Sequence, residues 1–216
     1  MKTLNKILRF LFYAVVVRIV VLIVLGLNIR HREKLPKKGP VIIVANHNSH
    51  LDTMVLMSLL PLRLLSNIQP VAAMDYFLRN KLLAWFALNI IGILPLKRKP
   101  DHRGEDILSP VYDALADDRI LIFFPEGSRG EPEKLSNFKS GLAKISQQYP
   151  SVPVVPILLH GLGKSLPKGE ALLVPFFCDV FVGDAMKWTG DRKSFMNQLE
   201  QHMEDLTEEG HFASWE

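Results

Sequence analysis

Cysteine is almost absent from this chain. One residue in 216, Cys178, excludes an intrachain disulfide and any zinc site built from cysteines. Set within VPFFCDVFV, it reads as core filler rather than as a nucleophile. Acid is nearly absent from residues 1–38, where nine Lys/Arg stand against the single carboxylate of Glu33. The remaining seventeen basic residues are outnumbered by twenty-one acidic ones, so the formal charge of +4 belongs to the N-terminal segment and its flanks. A nucleic-acid binder would be expected to spread basic residues over its folded domain. This distribution points instead to anionic lipid head groups. No Gly-x-Ser-x-Gly elbow, Walker loop or Rossmann fingerprint occurs, which argues against a serine hydrolase, a P-loop nucleotide enzyme and a dinucleotide enzyme.

What is present is apolar. Hydrophobic residues make up 48% of the chain, too many for a disordered or fibrous protein, and the length suits one α/β domain with a sizeable core. Residues 10–17 and 19–27 are apolar runs separated only by Arg18. Together they approach the ~20 residues needed to cross a bilayer core. No small-x-small cleavage site precedes the basic stretch at 30–38, so the segment is expected to be a retained anchor rather than a signal peptide. Lys2, Lys6 and Arg9 precede it, and Arg30, Arg32, Lys34, Lys37 and Lys38 follow. Positive charge at both ends suits a helix that lies in one leaflet or bends back; a simple span with Arg18 snorkelling stays open beside it. The expected organisation is an anchor or re-entrant helical segment over 1–29, a basic linker over 30–39, and one folded domain over 40–216.

Along that domain, apolar strands alternate with helices. Strands are expected at 40–45, 70–74, 92–96, 120–124, 152–159 and within 172–182. Helices are expected at 53–60, 76–91, 103–116, 138–148 and 191–209. The fold class is therefore α/β, a mixed sheet covered by helices, with the N-terminal segment associated with a membrane. The two prolines of VPVVPI (152–157) suit an edge strand or a bulge.

Two stretches carry most of the polar chemistry. ANHNSHLD (45–52) sets two histidines, two asparagines, a serine and an aspartate directly after an apolar strand. Metal ligation by His47, His50 and Asp52 is a weak reading, because the helical His-Glu-x-x-His arrangement is missing and no other close cluster adds ligands. A capping box, with Ser49 as N-cap and Asp52 reaching back, explains the serine and the aspartate. An acid–base dyad explains the histidine at the strand end, where α/β folds place working groups. In that reading Asp52 holds His47 Nδ1–H, fixes the tautomer and directs Nε2 to take a proton. Cap and dyad are compatible. FFPEGSRG (123–130) ends a strand in a turn carrying Glu126 and Arg129; Gly127 permits positive φ, and a guanidinium suits forked binding of phosphate. By itself such a turn is equally a surface ion pair. GILPLKR (92–98) delivers Lys97 and Arg98 from another strand end.

In this order the four stretches resemble the glycerolipid acyltransferase family, which includes the 1-acylglycerol-3-phosphate acyltransferases. His47 and Asp52 match its histidine and aspartate separated by four intervening residues. Gly92 and Arg98 match its second block, Phe124 to Arg129 its Phe-Pro-Glu-Gly-Thr/Ser-Arg block, and Val152 to Ile157 its Val-Pro strand. Pro95 departs from the phenylalanine sometimes found in the second block. The resemblance spans roughly residues 35–160 and makes the domain over 40–216 an acyltransferase domain. It implies transfer of a fatty acyl group from a thioester to a lipid hydroxyl, giving phosphatidic acid if the acceptor is 1-acylglycerol-3-phosphate. His47 and Asp52 would be catalytic; Arg98 and Arg129, with Lys97 a weaker third, would hold the acceptor's phosphate. Glu126 and Gly127 complete the expected substrate-binding set, Glu126 orienting Arg129 or an acceptor hydroxyl. No metal or resident cofactor is implied; acyl-coenzyme A or acyl carrier protein is the co-substrate, and membrane lipids are partners but nucleic acid is not. The expected place is a bacterial inner membrane, with the site facing the cytoplasm. Other acceptors (another lysolipid, glycerol-3-phosphate, an amino-acid lipid), a membrane esterase and a catalytically lapsed lipid-binding protein remain alternatives.

Overall fold

The computed structural model describes residues 3–21, 26–130, 135–165 and 177–212. In chain order the elements are α1 (Thr3–Leu11), continued by π-helical turns over Phe12–Val17, and β1 (Leu27–Arg30). Next come β2 (Val41–Ala45), α2 (Asp52–Leu59), β3 (Ile68–Ala73) and α3 (Met74–Phe77). Then follow α4 (Lys81–Phe86), continued by π-helical turns over Ala87–Ile91, β4 (Leu94–Leu96), α5 (Ser109–Ala116) and β5 (Ile120–Phe123). The remainder is α6 (Gly141–Gln148), β6 (Val154–His160), α7 (Leu162–Ser165), β7 (Cys178–Val182) and α8 (Arg192–Gly210).

Seven strands form one sheet in the order β1-β7-β6-β2-β5-β3-β4. The five strands from β6 to β4 run parallel; β7 pairs antiparallel to β6, and β1 parallel to β7. The sheet is mixed and covered on both faces, as expected from strands apolar throughout. Ile43, Ile122, Val155 and Ile157 pack on one side with α2 and the N-terminal turns carrying Tyr13 and Val17. Ile42, Val44, Leu121 and Val154 pack on the other against α5, α6 and α8. Because β2 lies in the middle, all five of its residues are buried. Burying Ile42, Ile43 and Val44 contributes on the order of 1.5–3 kcal/mol each.

Several expectations need correction. The helix expected over 76–91 is broken: α3 stops at Phe77, and α4 begins only after Asn80, whose side-chain oxygen accepts from the Leu83 amide at 2.9 Å. That asparagine is an N-cap inside a stretch whose apolar periodicity runs through it. The helix expected over 103–116 shrinks to α5, with Gly104 at φ +96° and Pro110 in the first turn. The Val-Pro strand is not an edge, for β6 lies between β2 and β7. Its second proline is accommodated where the β7 partner bulges. The Gly183 amide donates to Pro156 O at 2.8 Å, while Val154 already faces Met186. The expected strand over 172–182 is met at Cys178–Val182; residues 172–176 lie outside the described residues. Cys178 is fully buried, as core filler should be.

The N-terminal segment is docked on the domain. Tyr13 is 2% exposed, with its hydroxyl against Met57 Sδ at 2.8 Å. Arg9, expected among the charges facing lipid, is instead buried, and its Nη2 donates to Ile68 O at 2.9 Å. β1 straddles the boundary drawn at residue 30 and sits at the edge of the sheet. Among the described residues, no helix is long and apolar enough to cross a membrane. Residues 22–25, within the second apolar run, lie outside them.

Gly92 makes the Arg9 contact possible. It has φ +77°, and a Cβ there would fall 2.5 Å from the Arg9 guanidinium carbon. Gly92→Ala is expected to cost about 2 kcal/mol from left-handed backbone plus overlap, lowering the melting temperature by roughly 4–8 °C. A thermal melt checks this; an unchanged midpoint would mean that the guanidinium moves aside at no cost.

Candidate active site

The site lies at the carboxyl edge of the parallel strands, where β2, β5 and β6 end side by side. Asn46, the first residue past β2, ties that end to β6. Its Nδ2 donates to Leu159 O and its Oδ1 accepts from the Leu159 amide, each at 2.8 Å. The amide side chain thus imitates a backbone rung. The next residue, His47, is turned toward β5.

His47 Nδ1 lies 2.8 Å from Asp52 Oδ2. The same oxygen accepts from the amides of Asn48 at 2.7 Å and Ser49 at 2.9 Å. Asp52 is fully buried, yet its Oδ2 holds a ring and two main-chain donors. Three hydrogen bonds to the charged form offset the loss of hydration that burial imposes. The capping-box expectation is half met. Asp52 reaches back to the Ser49 amide as foreseen, but Ser49 Oγ accepts from Leu51 N at 3.3 Å instead of capping the helix. Asp52 is the first residue of α2, so the carboxylate also sits at a helix N-terminus.

The second stretch closes over the first. The Phe124 ring stacks on the His47 imidazole, with centroids 4.1 Å apart and planes 20° apart. Glu126 Oε1 accepts from the His47 amide at 3.0 Å, and the Gly130 amide donates to His47 O at 2.9 Å. Burial pushes the Glu126 carboxyl above the usual carboxylate range, against the pull of the His47 amide and the Ser136 side chain. Gly127 turns the chain with φ +73°. The end of the Lys139 side chain lies across the space its Cβ would take, so any other residue would have to displace it and adopt a left-handed backbone. Arg129 Nη1 is buried without a hydrogen-bond partner among the described residues. His50 is exposed at the same loop, and desolvation, Arg129 and then His47 hold its pKa below the ordinary histidine value.

The second block is placed differently. Arg98 follows β4, three strands from β2 and so about 14 Å across the sheet. It lies exposed, 3.5 Å from Asp75. Lys97 is engaged by Asp101 at 2.6 Å and Glu105 at 2.5 Å, and those carboxylates raise its pKa. His47, Asp52, Glu126, Gly127 and Arg129 thus come together; Arg98 and Lys97 lie apart on the same edge. The sequence reading did not single out Asn46, Ser136 or Lys139. For Asn46 a signal existed, an amide wedged between an apolar strand and a histidine.

The family model named Acyltransferase matches residues 26–160, more than half of the chain and all four blocks. The chain belongs to the glycerolipid acyltransferase family. It is 33% identical over 145 residues to a chloroplastic 1-acyl-sn-glycerol-3-phosphate acyltransferase of Arabidopsis thaliana, covering 67% of this chain and 38% of that one. It is 27% identical to the human 1-acyl-sn-glycerol-3-phosphate acyltransferase alpha, over 72% of this chain and 53% of that one. The chain therefore spans between a third and just over half the length of these relatives. The crystal structure of the 1-acyl-sn-glycerophosphate acyltransferase PlsC from Thermotoga maritima superimposes with a TM-score of 0.74. At 19% identity, over 100% of this chain and 86% of that one, the likeness is one of fold.

Within this acyltransferase fold, Glu126 should leave a pH signature in stability. Its folded-state pKa is raised, so the stability it contributes is full below the ordinary carboxylate pKa and is lost as pH rises through the folded value. Glu126→Gln cannot ionise and escapes that loss. Denaturant unfolding at a series of pH values should show the variant gaining on the unaltered chain from about pH 4 upward. A difference constant with pH would contradict this.

Proposed function

We propose that this acyltransferase moves a fatty acyl group from a thioester to the free hydroxyl of 1-acylglycerol-3-phosphate, yielding phosphatidic acid. The observation that carries the reading is the 2.8 Å contact between His47 Nδ1 and Asp52 at the carboxyl edge of the sheet. A thioester is already activated, so the demand is on the alcohol. With Nδ1–H held by Asp52, His47 Nε2 takes the hydroxyl proton as the oxygen attacks the thioester carbon. Asp52 stabilises the imidazolium that forms. Collapse of the tetrahedral intermediate breaks the carbon–sulfur bond, and the imidazolium returns its proton to the departing thiolate. No acyl-enzyme is required.

Arg129 suits the acceptor's phosphate. Its buried, unsatisfied nitrogen has a desolvation cost that an anion would relieve. Lys97, already neutralised by two carboxylates, is a poorer ligand. Arg98, exposed on β4's side of the edge, could meet only a distant part of the substrate.

Work at a lipid surface fits the apolar exposure. α1 and the α4 helix pack together through Phe12 and Phe86, whose centroids are 5.5 Å apart. Leu4, Phe10 and Leu11 are exposed on α1 and Ile19 beyond it, and Leu82 and Trp85 on α4. With the basic excess of residues 1–38, this favours helices lying in the head-group region of an anionic leaflet.

Four measurements test the proposal. His47→Ala should lower transfer roughly a thousandfold or more while the melt is unchanged; full activity would end the mechanism. Arg129→Ala should raise the acceptor's KM roughly tenfold to a hundredfold, as expected for one hydrogen bond to a charged group. A panel of lysolipids with labelled acyl-coenzyme A or acyl carrier protein, read by product mass, identifies acceptor and donor; free fatty acid alone would mark an esterase. For the membrane, Leu82→Ser with Trp85→Ser should cut binding to anionic vesicles by roughly tenfold, about 1.4 kcal/mol. Unchanged binding would remove those side chains from the contact.

A further inference from the structure

Glu126 stands in register with His47. The parallel ladder pairs Val44 with Phe123, and each strand then runs three residues further, to His47 on one side and Glu126 on the other. Pro125 intervenes, and the ladder between β2 and β5 ends before it. The His47 amide, which a continuing strand would have satisfied with a carbonyl, is met by Glu126 Oε1 at 3.0 Å. The same turn supplies Gly130 N to His47 O at 2.9 Å and lays Phe124 against the imidazole. One short turn therefore holds the amide, the carbonyl and one face of the ring of a single residue. Asp52 fixes the ring's rotation; this turn fixes where the ring's backbone stands.

The geometry points to Glu126 as a positioning residue for His47 rather than a contact to the acceptor. It is 4% exposed, so little of its carboxyl is presented to a ligand. Burying a carboxylate is costly, and one that must hydrogen-bond a fixed amide is retained where a displacement of about 1 Å can cost a hundredfold in rate. This rests on the base role assigned to His47, and revises the sequence expectation that Glu126 orients Arg129 or an acceptor hydroxyl.

The test is steady-state kinetics of the full chain with 1-acylglycerol-3-phosphate and whichever thioester donor supports turnover, alongside thermal melts. Glu126→Ala should lower kcat at least about a hundredfold while KM for the acceptor stays within about threefold. Glu126→Gln, whose side-chain oxygen can still accept from the His47 amide, should restore kcat to within about tenfold of the unaltered enzyme. Phe124→Leu, which removes the ring contact but keeps apolar bulk, should also lower kcat selectively; if Glu126→Ala does not fold, this variant and Glu126→Gln decide the matter. A rise in acceptor KM at unchanged kcat would make Glu126 a substrate ligand and overturn the inference. So would a Gln variant as inactive as the Ala variant. His47→Ala in the same assay separates the two claims. If it stays active, the base reading falls. If it is dead while Glu126→Ala is fully active, only the positioning role falls.

Discussion

Parallel pairing of β2 with β5 is the constraint on which the rest of the site depends. With Val44 opposite Phe123, two loops distant in sequence must leave the sheet side by side at one edge. A slip of one residue would turn every side chain of β2 to the opposite face and exchange its two cores, so the register is strongly specified. Ile42 and Val44 face α5, α6 and α8, while Ile43 and Ala45 face α2 and the N-terminal turns. Burial in two different cores thus sets the offset between His47 and Glu126 to a fraction of a residue spacing. The hydrophobic core positions the chemistry without touching it.

The strand ends add local tethers to this frame. Asn46 holds β6 on one side, and the Glu126 turn holds β5's extension on the other. His47 is therefore fixed by its two neighbouring strands before Asp52 orients its ring. Such redundancy would serve the proton transfer proposed for His47, because the entropy of orienting the ring would be lost on folding and not at each turnover.

How much of this could be read beforehand depended on locality. His47 and Asp52 are five positions apart, across the turn from β2 into α2, and strand-then-helix patterning sufficed to bring them together. The pairing of ANHNSHLD with FFPEGSRG needed only the inference that both follow parallel strands. The contacts that make the pairing specific, Glu126 to a main-chain amide and Gly130 to a carbonyl, carry no residue pattern and were not legible. Arg9 misled for a different reason. Beside Lys2 and Lys6 it looks like a lipid-facing charge, and only the folded chain brings it under Gly92 to the Ile68 carbonyl. The helix over 76–91 failed because apolar periodicity continues through Asn80, whereas the break depends on one cap. VPVVPI was expected at an edge or a bulge because proline removes a ladder donor; the strand is interior, and the bulge lies in the neighbouring strand. Lys97 belonged to a block read correctly as lying at a strand end, but Asp101 and Glu105 lie past a proline that hid their return.

Among the described residues, the buried polar atoms without a hydrogen-bond partner fall in two groups, and Ser146 Oγ on α6 and His202 Nδ1 on α8 lie with Arg9 Nε away from the carboxyl edge. Arg9 Nε is buried without a hydrogen-bond partner, but it sits by Ile68, at the amino end of β3. The strand's own length sets that point roughly 17 Å from the carboxyl edge, too far to meet a group reacting at His47. Its cost is that of latching the N-terminal helix to the sheet, offset by the Tyr13 and Val17 contacts around it. Arg129 Nη1, Glu126 Oε2 and Asp52 Oδ1 lie instead at the carboxyl edge, the last on the first residue of α2. Asp52 is fully buried and Arg129 only partly, so of these atoms it is the Arg129 donor that the phosphate of the proposed acceptor would satisfy.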